Sequence, residues 1–441
     1  MEKWNTFLIE HSTRALAHLL PELRPGGQAA DRVISSYFKG NPNIGQHERG
    51  MIAEATFGVL REKRSLEKRA GSDFPKDMLI AWLSSRGISQ RQLDECKLSE
   101  AEWEIFRRAK GFDLRNISAA ERLNLPDWLY ERLLAQLDEA TVELLAARLN
   151  QSAPLDLRVN TVKSNREEAL ATLASHGIHG VPTPWSPLGI RLADKPALQR
   201  EPLFRNGALE VQDEGSQLLA LLTAPKRGEM VVDFCAGAGG KTLALGALMR
   251  NTGRLYAFDT SEKRLARFTP RFKKSGLSNV HPQRIANEND LKIKRLGGKI
   301  DRVLVDAPCS GLGTLRRNPD LKWRQQPSDV AELAVKQLGI LTAAARLVKV
   351  GGRLVYATCS VLDEENAGVV ATFCAAHPHF VLLNAQELLV KQGVTLKPAM
   401  TDAMLRLGPH THGTDGFFAA VLERRDSVFS PAPVPEDAHA D

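Results

Sequence analysis

The chain has 441 residues, with 59 Lys or Arg against 52 Asp or Glu and a formal net charge of +7. A hydrophobic fraction of 43% supports real cores and excludes wholesale disorder, and length alone implies about three domains at roughly 150 residues each. No apolar run approaches the roughly 18 residues that span a bilayer. Met1–Glu10 mixes charges with Trp4 and Phe7 and lacks a signal-peptide core, so a cytoplasmic protein is expected. The five cysteines, Cys96, Cys235, Cys309, Cys359 and Cys374, are odd in number and contain no CxxC pair. That pattern argues against a disulfide framework and a structural zinc site, and for a reducing compartment; no metal is expected. The net charge is compatible with a polyanionic partner without establishing one.

Residues 1–150 read as an α-helical domain. Arg14–Leu20, Asp31–Phe38 and Glu48–Leu60 carry apolar residues at helical spacing, and Trp128–Leu149 is a longer pattern of the same kind. Residues 151–224 read as a small α/β module: Leu155–Asn160 alternates like a strand, Glu167–Ser175 like a helix, and Ile190–Leu192 is a short strand. Within 225–425, strands at Met230–Phe234, Arg254–Asp259, Arg302–Asp306 and Gly352–Ala357 alternate with helices at Lys241–Met249, Glu262–Ser275 and Val330–Leu347. Such alternation predicts a mostly parallel α/β sheet with right-handed crossovers. Residues 426–441 hold four acids and no Lys or Arg, and read as a disordered tail.

Asp233-Phe234-Cys235-Ala236-Gly237-Ala238-Gly239-Gly240-Lys241-Thr242 joins a predicted strand to a helix. Its glycines allow a sharp turn and close approach of a ligand, and the helix N-terminus offers unpaired amides. Asp259 ends the next strand, where an acid can hold ribose hydroxyls. The spacing does not fit the phosphate loop GxxxxGK[ST], nor GxGxxG. An acid at the end of each of the first two strands around a glycine turn fits S-adenosylmethionine, the expected cofactor.

Cys309, in Asp306-Ala307-Pro308-Cys309-Ser310-Gly311, and Cys359, in Thr358-Cys359-Ser360, both follow predicted strands, at the sheet edge where α/β proteins place ligands. Cys96, Cys374 and Cys235 read as packing residues by the usual rule for lone cysteines. Two thiols in one cleft suit methylation of a pyrimidine at carbon 5. That carbon is too weak a nucleophile until a thiolate adds at carbon 6, and the adduct must later be released. Asp306 can hydrogen-bond the ring and stabilise the adduct. On this chemistry alone either cysteine could be the nucleophile.

DFCAGAGGKT (233–242), DAPCSGLGTLRRNPDLKWR (306–324) and YATCS (356–360) resemble the RsmB/Sun family of RNA cytosine carbon-5 methyltransferases. LRVNT (157–161), VQDEGSQL (211–218) and DGFFAAVLER (415–424) look like further blocks of it. The resemblance implies a class I, Rossmann-like S-adenosylmethionine methyltransferase domain behind a small α/β module. The helical residues 1–150 are similar in character and position to the NusB-like domain found ahead of some members. It further implies Cys359 as nucleophile, Cys309 as the cysteine that assists release, and Asp306 and Lys241 beside the base. Cys235, Ala236, Gly237, Ala238, Gly239, Gly240 and Lys241 match the cofactor loop, Asp259 the ribose acid, and Asp306 the acid between cofactor and base. Where the family usually has an acid near the adenine, this chain has Asn287, with Asp290 as the alternative.

The implied partner is RNA, with an unstacked or single-stranded cytosine in ribosomal RNA as the expected target and a monomer as the expected state. Transfer RNA is the rival substrate, and a non-catalytic RNA-binding assembly factor the rival class. Residues 261–302 hold twelve Lys or Arg against four acids, each helix charge reading as a solvated face, while Arg316, Arg317 and Lys322-Trp323-Arg324 adjoin the second motif, with Arg316 and Arg317 the stronger candidates to face phosphates. Arg158 is a further RNA contact on this reading; Asn160 is another, or caps a turn.

Overall fold

The computed structural model describes residues 3–426; all but the first residue of the expected disordered tail lies outside them. Thr6–Leu19, Ala30–Gly40, Gln46–Ala70, Pro75–Ser85 and Glu100–Gly111 are helices that close on one core containing Leu16, Ile52, Val59, Leu79 and Phe106. Ile52, Ala55 and Val59 follow the i, i+3, i+7 spacing that puts one stripe of a helix inward. The long helix runs past the expected Leu60 through the charged stretch to Ala70, with a break at Glu62, where φ is −111° and ψ 16°.

The pattern at Trp128–Leu149 folds as two helices, Asp127–Leu134 and Glu139–Leu149. The second starts where the Asp138 carboxylate accepts the Thr141 N–H at 2.9 Å, a local competitor that overrides the apolar periodicity. Both helices pack with Leu312, Leu315, Val330 and Leu362 of the later chain. The helices of residues 1–150 thus fall into two packing groups, the last two meeting side chains of the larger C-terminal domain.

In the small module, β1 (Leu155–Val159), β2 (Gly180–Pro182), β3 (Gly189–Leu192) and β4 (Leu209–Val211) form an antiparallel sheet in the order β2-β3-β1-β4. Leu157 and Val159 face its core with Ala169, Leu173 and Ile190. Strand alternation turns Arg158 to the opposite side.

The larger sheet holds β5 (Met230–Asp233), β6 (Arg254–Asp259), β7 (Val280–Arg284), β8 (Ile300–Asp306), β9 (Val348–Thr358), β10 (Phe380–Leu383), β11 (Leu405–Leu407) and β12 (Phe417–Arg424). Its order is β10-β12-β9-β8-β5-β6-β7, with β11 also on β12. The pairs from β7 to β9 are parallel, and β12 is antiparallel to β9. One face packs Leu218, Leu243 and Phe268, the other Ile340, Leu341 and Phe373. Strand order reverses at β5, so the loops after β5 and β8 diverge there and leave a crevice at the C-terminal sheet edge. No helix among the described residues is long and apolar enough to cross a membrane.

Candidate active site

A cavity of about 1040 Å³ occupies that crevice. The turn after β5 lines it with Cys235, Ala236, Gly237, Ala238, Gly240 and Lys241; β6 contributes Asp259, the stretch after β7 Asn287, the end of β8 Asp306, and the loops after β8 and β9 Cys309 and Cys359. The cavity thus collects every expected site residue but one. Gly239 sits outside the lining: its φ is +81°, and a Cβ there would lie 1.9 Å from the Phe268 ring. It is the pivot that starts the helix Gly240–Leu248, a conformation open mainly to glycine.

Asp259 ends β6 with both carboxylate oxygens engaged: Oδ2 accepts the Gly237 N–H at 2.8 Å and Oδ1 the Ser261 N–H at 2.7 Å. It therefore shapes the glycine turn and also lines the cavity. A Cβ at Gly237 would find nothing nearer than 4.0 Å, so the turn is a backbone cradle open to a ligand, as a nucleoside cofactor requires. Of the two residues considered for the adenine end, Asn287 lines the cavity. Asp290 caps its own turn, accepting the Ala286 and Lys292 N–H groups at 2.9 Å each. Among the described residues no group of three or more His, Cys, Asp or Glu is placed to hold a metal ion.

The two thiols meet. Cys309 Sγ lies 3.4 Å from Cys359 Sγ and accepts the Cys359 N–H at 3.4 Å. Parallel pairing of β8 with β9, Asp306 opposite Ala357, sets their loops side by side. Lys241 Nζ donates to Asp306 Oδ2 at 2.8 Å and sits 5.7 Å from the Phe417 ring centroid. Burial works against the Lys241 charge, but Asp306 and then Cys359 outweigh it and hold the ammonium above the ordinary lysine range. Cys309 is pushed well above the usual thiol range by its hydrogen bond with Cys359, then by burial and by Glu365. Asp306 thus keeps Lys241 charged in the same crevice as the two thiols, and ionisation of Cys309 is opposed by its surroundings. Cys235 is likewise raised by burial, then by Asp233.

Several expected RNA contacts are turned inward. Arg158 is 2% exposed and donates to the Gly240 carbonyl at 2.7 Å and to Gln212, bracing the glycine turn. Asn160 donates to the carbonyls of Gly207 at 3.0 Å and Ser275 at 2.8 Å and accepts the Val162 N–H at 3.2 Å, so it is a turn cap that ties the small module to the larger domain. Arg316 is buried on the carbonyls of Gly413 and Thr414. Arg317 does line the cavity, gripped by Asp213 at 2.8 Å and Asp415 at 2.5 Å; burial and then Asp213 raise the Asp415 carboxyl to about 6. Lys322 is buried on the Arg61 carbonyl at 2.9 Å and Asn150 Oδ1 at 2.7 Å, Trp323 Nε1 reaches the Leu60 carbonyl at 2.9 Å, and Arg324 the Gly27 carbonyl at 2.7 Å. This segment docks the N-terminal helices. Lys263, Arg264 and Arg267 on the helix Glu262–Ser275 remain exposed as expected.

The sequence reading missed Glu365, whose side chain spans the two cysteine turns. It also missed Arg271, which donates to the Ala238 carbonyl at 2.6 Å from a partnership with Glu210. The one available signal was that Cys309 and Cys359 are each followed by a serine, a repeated hydroxyl that needs an acceptor when buried.

Residues 220–423 match the family described as 16S rRNA methyltransferase RsmB/F, and 125–199 its ferredoxin-like domain. The chain is 33% identical to the ribosomal RNA small subunit methyltransferase B of Photorhabdus laumondii over 96% of its own length and 100% of that protein's. It is 37% identical to the Sodalis glossinidius protein of the same name, over 69% and 68%. A methyltransferase homolog from Pyrococcus horikoshii superposes with a TM-score of 0.58 at 28% identity, covering 68% of this chain and 100% of that one. NSun6 from the same organism, solved with the S-adenosylmethionine analogue SFG, shares the fold with a TM-score of 0.61 at 22% identity over 68% and 99%. With a glycine cradle, a strand-end acid and paired thiols in one crevice, the chain belongs to the RsmB/F family of S-adenosylmethionine-dependent RNA methyltransferases.

Proposed function

We propose that the protein methylates carbon 5 of a cytosine in RNA, with ribosomal RNA as the substrate class, through a covalent bond between Cys359 and carbon 6. The observation that carries this reading is the pair of thiols 3.4 Å apart in the crevice that also holds the Lys241–Asp306 pair and the glycine turn. The ribosomal substrate is supported by the names of the relatives.

Cys359 thiolate adds to carbon 6 and pushes electron density onto carbon 5. Lys241 pairs with Asp306 in the same crevice, and Asp306 can hydrogen-bond the ring edge as charge develops there. Bound S-adenosylmethionine supplies an electrophilic methyl group. The residues that would hold it are Asp259 at the ribose hydroxyls, Gly237 to Gly240 along the backbone, and Asn287 at the adenine. Once carbon 5 carries the methyl, its proton passes to a base in the crevice, the C–H electron pair re-forms the 5,6 double bond, and the carbon–sulfur pair returns to the Cys359 sulfur as thiolate. Cys309, held against the departing sulfur, serves this release.

The test uses labelled S-adenosylmethionine with separate ribosomal and transfer RNA fractions. Wild type labels ribosomal RNA, Cys359→Ala transfers no methyl, and Cys309→Ala accumulates a protein–RNA adduct. Full activity in Cys359→Ala overturns the nucleophile assignment. Labelling confined to transfer RNA overturns the substrate class. Wild type that labels neither fraction, yet binds RNA, would mark a binding factor instead.

A further inference from the structure

Glu365 has no exposed surface. Burying a carboxylate is costly unless its lone pairs are filled. Here all four donors come from the two catalytic turns and the helix between them. Oε1 accepts the Ser310 N–H at 2.8 Å and Gln337 Nε2 at 3.0 Å. Oε2 accepts the hydroxyls of Ser310 and Ser360, each at 2.5 Å. Ser310 comes directly after Cys309 and Ser360 directly after Cys359, so one carboxylate oxygen is shared by the two residues next to the two sulfurs. Gln337 extends the grip by donating to the Pro308 carbonyl at 3.0 Å, and Asn366 by donating to the Ser360 carbonyl at 3.0 Å. The carboxylate touches neither sulfur.

We propose that Glu365 is the positioning residue that sets the distance between Cys309 and Cys359, and so determines how efficiently the covalent adduct is released. The inference rests on the two-cysteine reading above. Each turn is anchored on its own strand, but β8 and β9 end before the cysteines. Beyond them, the Gly313 N–H to the Cys359 carbonyl at 2.8 Å ties the two loops at the backbone, and the shared carboxylate and the sulfur contact tie them at the cysteines themselves. Only release needs both sulfurs, whereas cofactor binding uses the crevice on the β5 and β6 side. Loosening the clamp therefore raises the proportion of enzyme held as adduct and leaves cofactor affinity unchanged. An amide at this position keeps the shape but offers a single acceptor oxygen to four donors.

The experiment compares full-length wild type, Glu365→Gln, Ser310→Ala and Ser360→Ala for turnover, S-adenosylmethionine affinity, thermal midpoint and denaturation-resistant protein–RNA adduct. For Glu365→Gln the expected result is a fall in kcat of about 100-fold, the scale of an ångström-sized misplacement, with cofactor affinity within about twofold and adduct accumulating as in Cys309→Ala. Each serine variant shows the same pattern more weakly, and decides the matter if Glu365→Gln does not fold. Turnover within about twofold of wild type in folded Glu365→Gln overturns the proposal. So does a loss of turnover that tracks lost cofactor affinity or stability with no adduct. A wild type that never forms adduct sinks the covalent reading as well; a wild type that does, beside a Glu365→Gln that behaves like it, sinks the clamp alone.

Discussion

Asp233 ends β5 with one carboxylate oxygen bound by the Thr242 hydroxyl at 2.7 Å and the other buried without a protein partner. Burial raises its carboxyl to about 7, against the help of Thr242 and with a further push from Asp306. An unfolded aspartate titrates near 3.9. The folded state therefore holds the proton more tightly between about pH 4 and 7. This contribution to stability is complete below that window and is lost as pH rises through about 7. Asp233→Asn keeps the acceptor for Thr242 and removes the titration. Its stability relative to wild type, measured by urea unfolding, is expected to improve from pH 4 to about pH 7 and then level off. The total gain is at most about 4 kcal/mol, from roughly three units at 1.36 kcal/mol each. A constant difference across that range would place the titration elsewhere.

In the turn after β5, two glycines of one motif do different jobs. Gly237 opens onto the cavity, whereas Gly239 lies against Phe268 on the helix Glu262–Ser275. Gly239→Ala must both adopt a positive φ and displace a buried ring. It is expected to weaken S-adenosylmethionine binding by at least about tenfold and to lower stability by about 1–3 kcal/mol; calorimetric titration and melting check both. This strand–turn–helix was legible in the sequence because period-2 and period-3.6 patterns alternate there around glycines. The adjacency of Cys309 and Cys359 followed from both ending parallel strands. What the sequence hid was direction. Arg316 and Lys322 are basic residues beside a catalytic motif and Arg158 lies in an alternating strand, and nothing local says that each faces a backbone carbonyl instead of solvent. Glu365 sits in the run Asp363-Glu364-Glu365, which reads as a solvated charged stretch until folding brings Ser310 across to it.

Across the whole molecule, the loop that carries Cys309 also carries the contacts to the N-terminal helices. Asp320 accepts the Ala30 N–H at 3.2 Å, and Lys322, Trp323 and Arg324 reach main-chain oxygens of that domain. Burial holds the Lys322 ammonium well below its ordinary pKa, with Arg61 adding to the effect. Trp323→Ala removes a ring and a hydrogen bond from this seam. It is expected to loosen the N-terminal helices by about 2 kcal/mol. The check is faster proteolytic cleavage in the connection between Gly111 and Ala119, ahead of any change in the melting of the larger sheet domain.

The break at Glu62 gives this seam an unusual genetic character. Ser65 N–H, which would bond the Arg61 carbonyl in an unbroken helix, goes to Asn124 Oδ1 at 2.9 Å, and the carbonyl is left for Lys322. The acceptors at positions 60 and 61 are peptide oxygens, present whatever side chain stands there, while the donors at 322 and 323 exist only as lysine and tryptophan. The bonds to the carbonyls at 60 and 61 are thus encoded by the donor side alone, while the Arg61 side chain makes one bond in the reverse direction, to the Arg316 carbonyl at 3.2 Å. Drift at 60 and 61 cannot erase the two carbonyl bonds, and drift at 322 or 323 cannot be repaired from the other side.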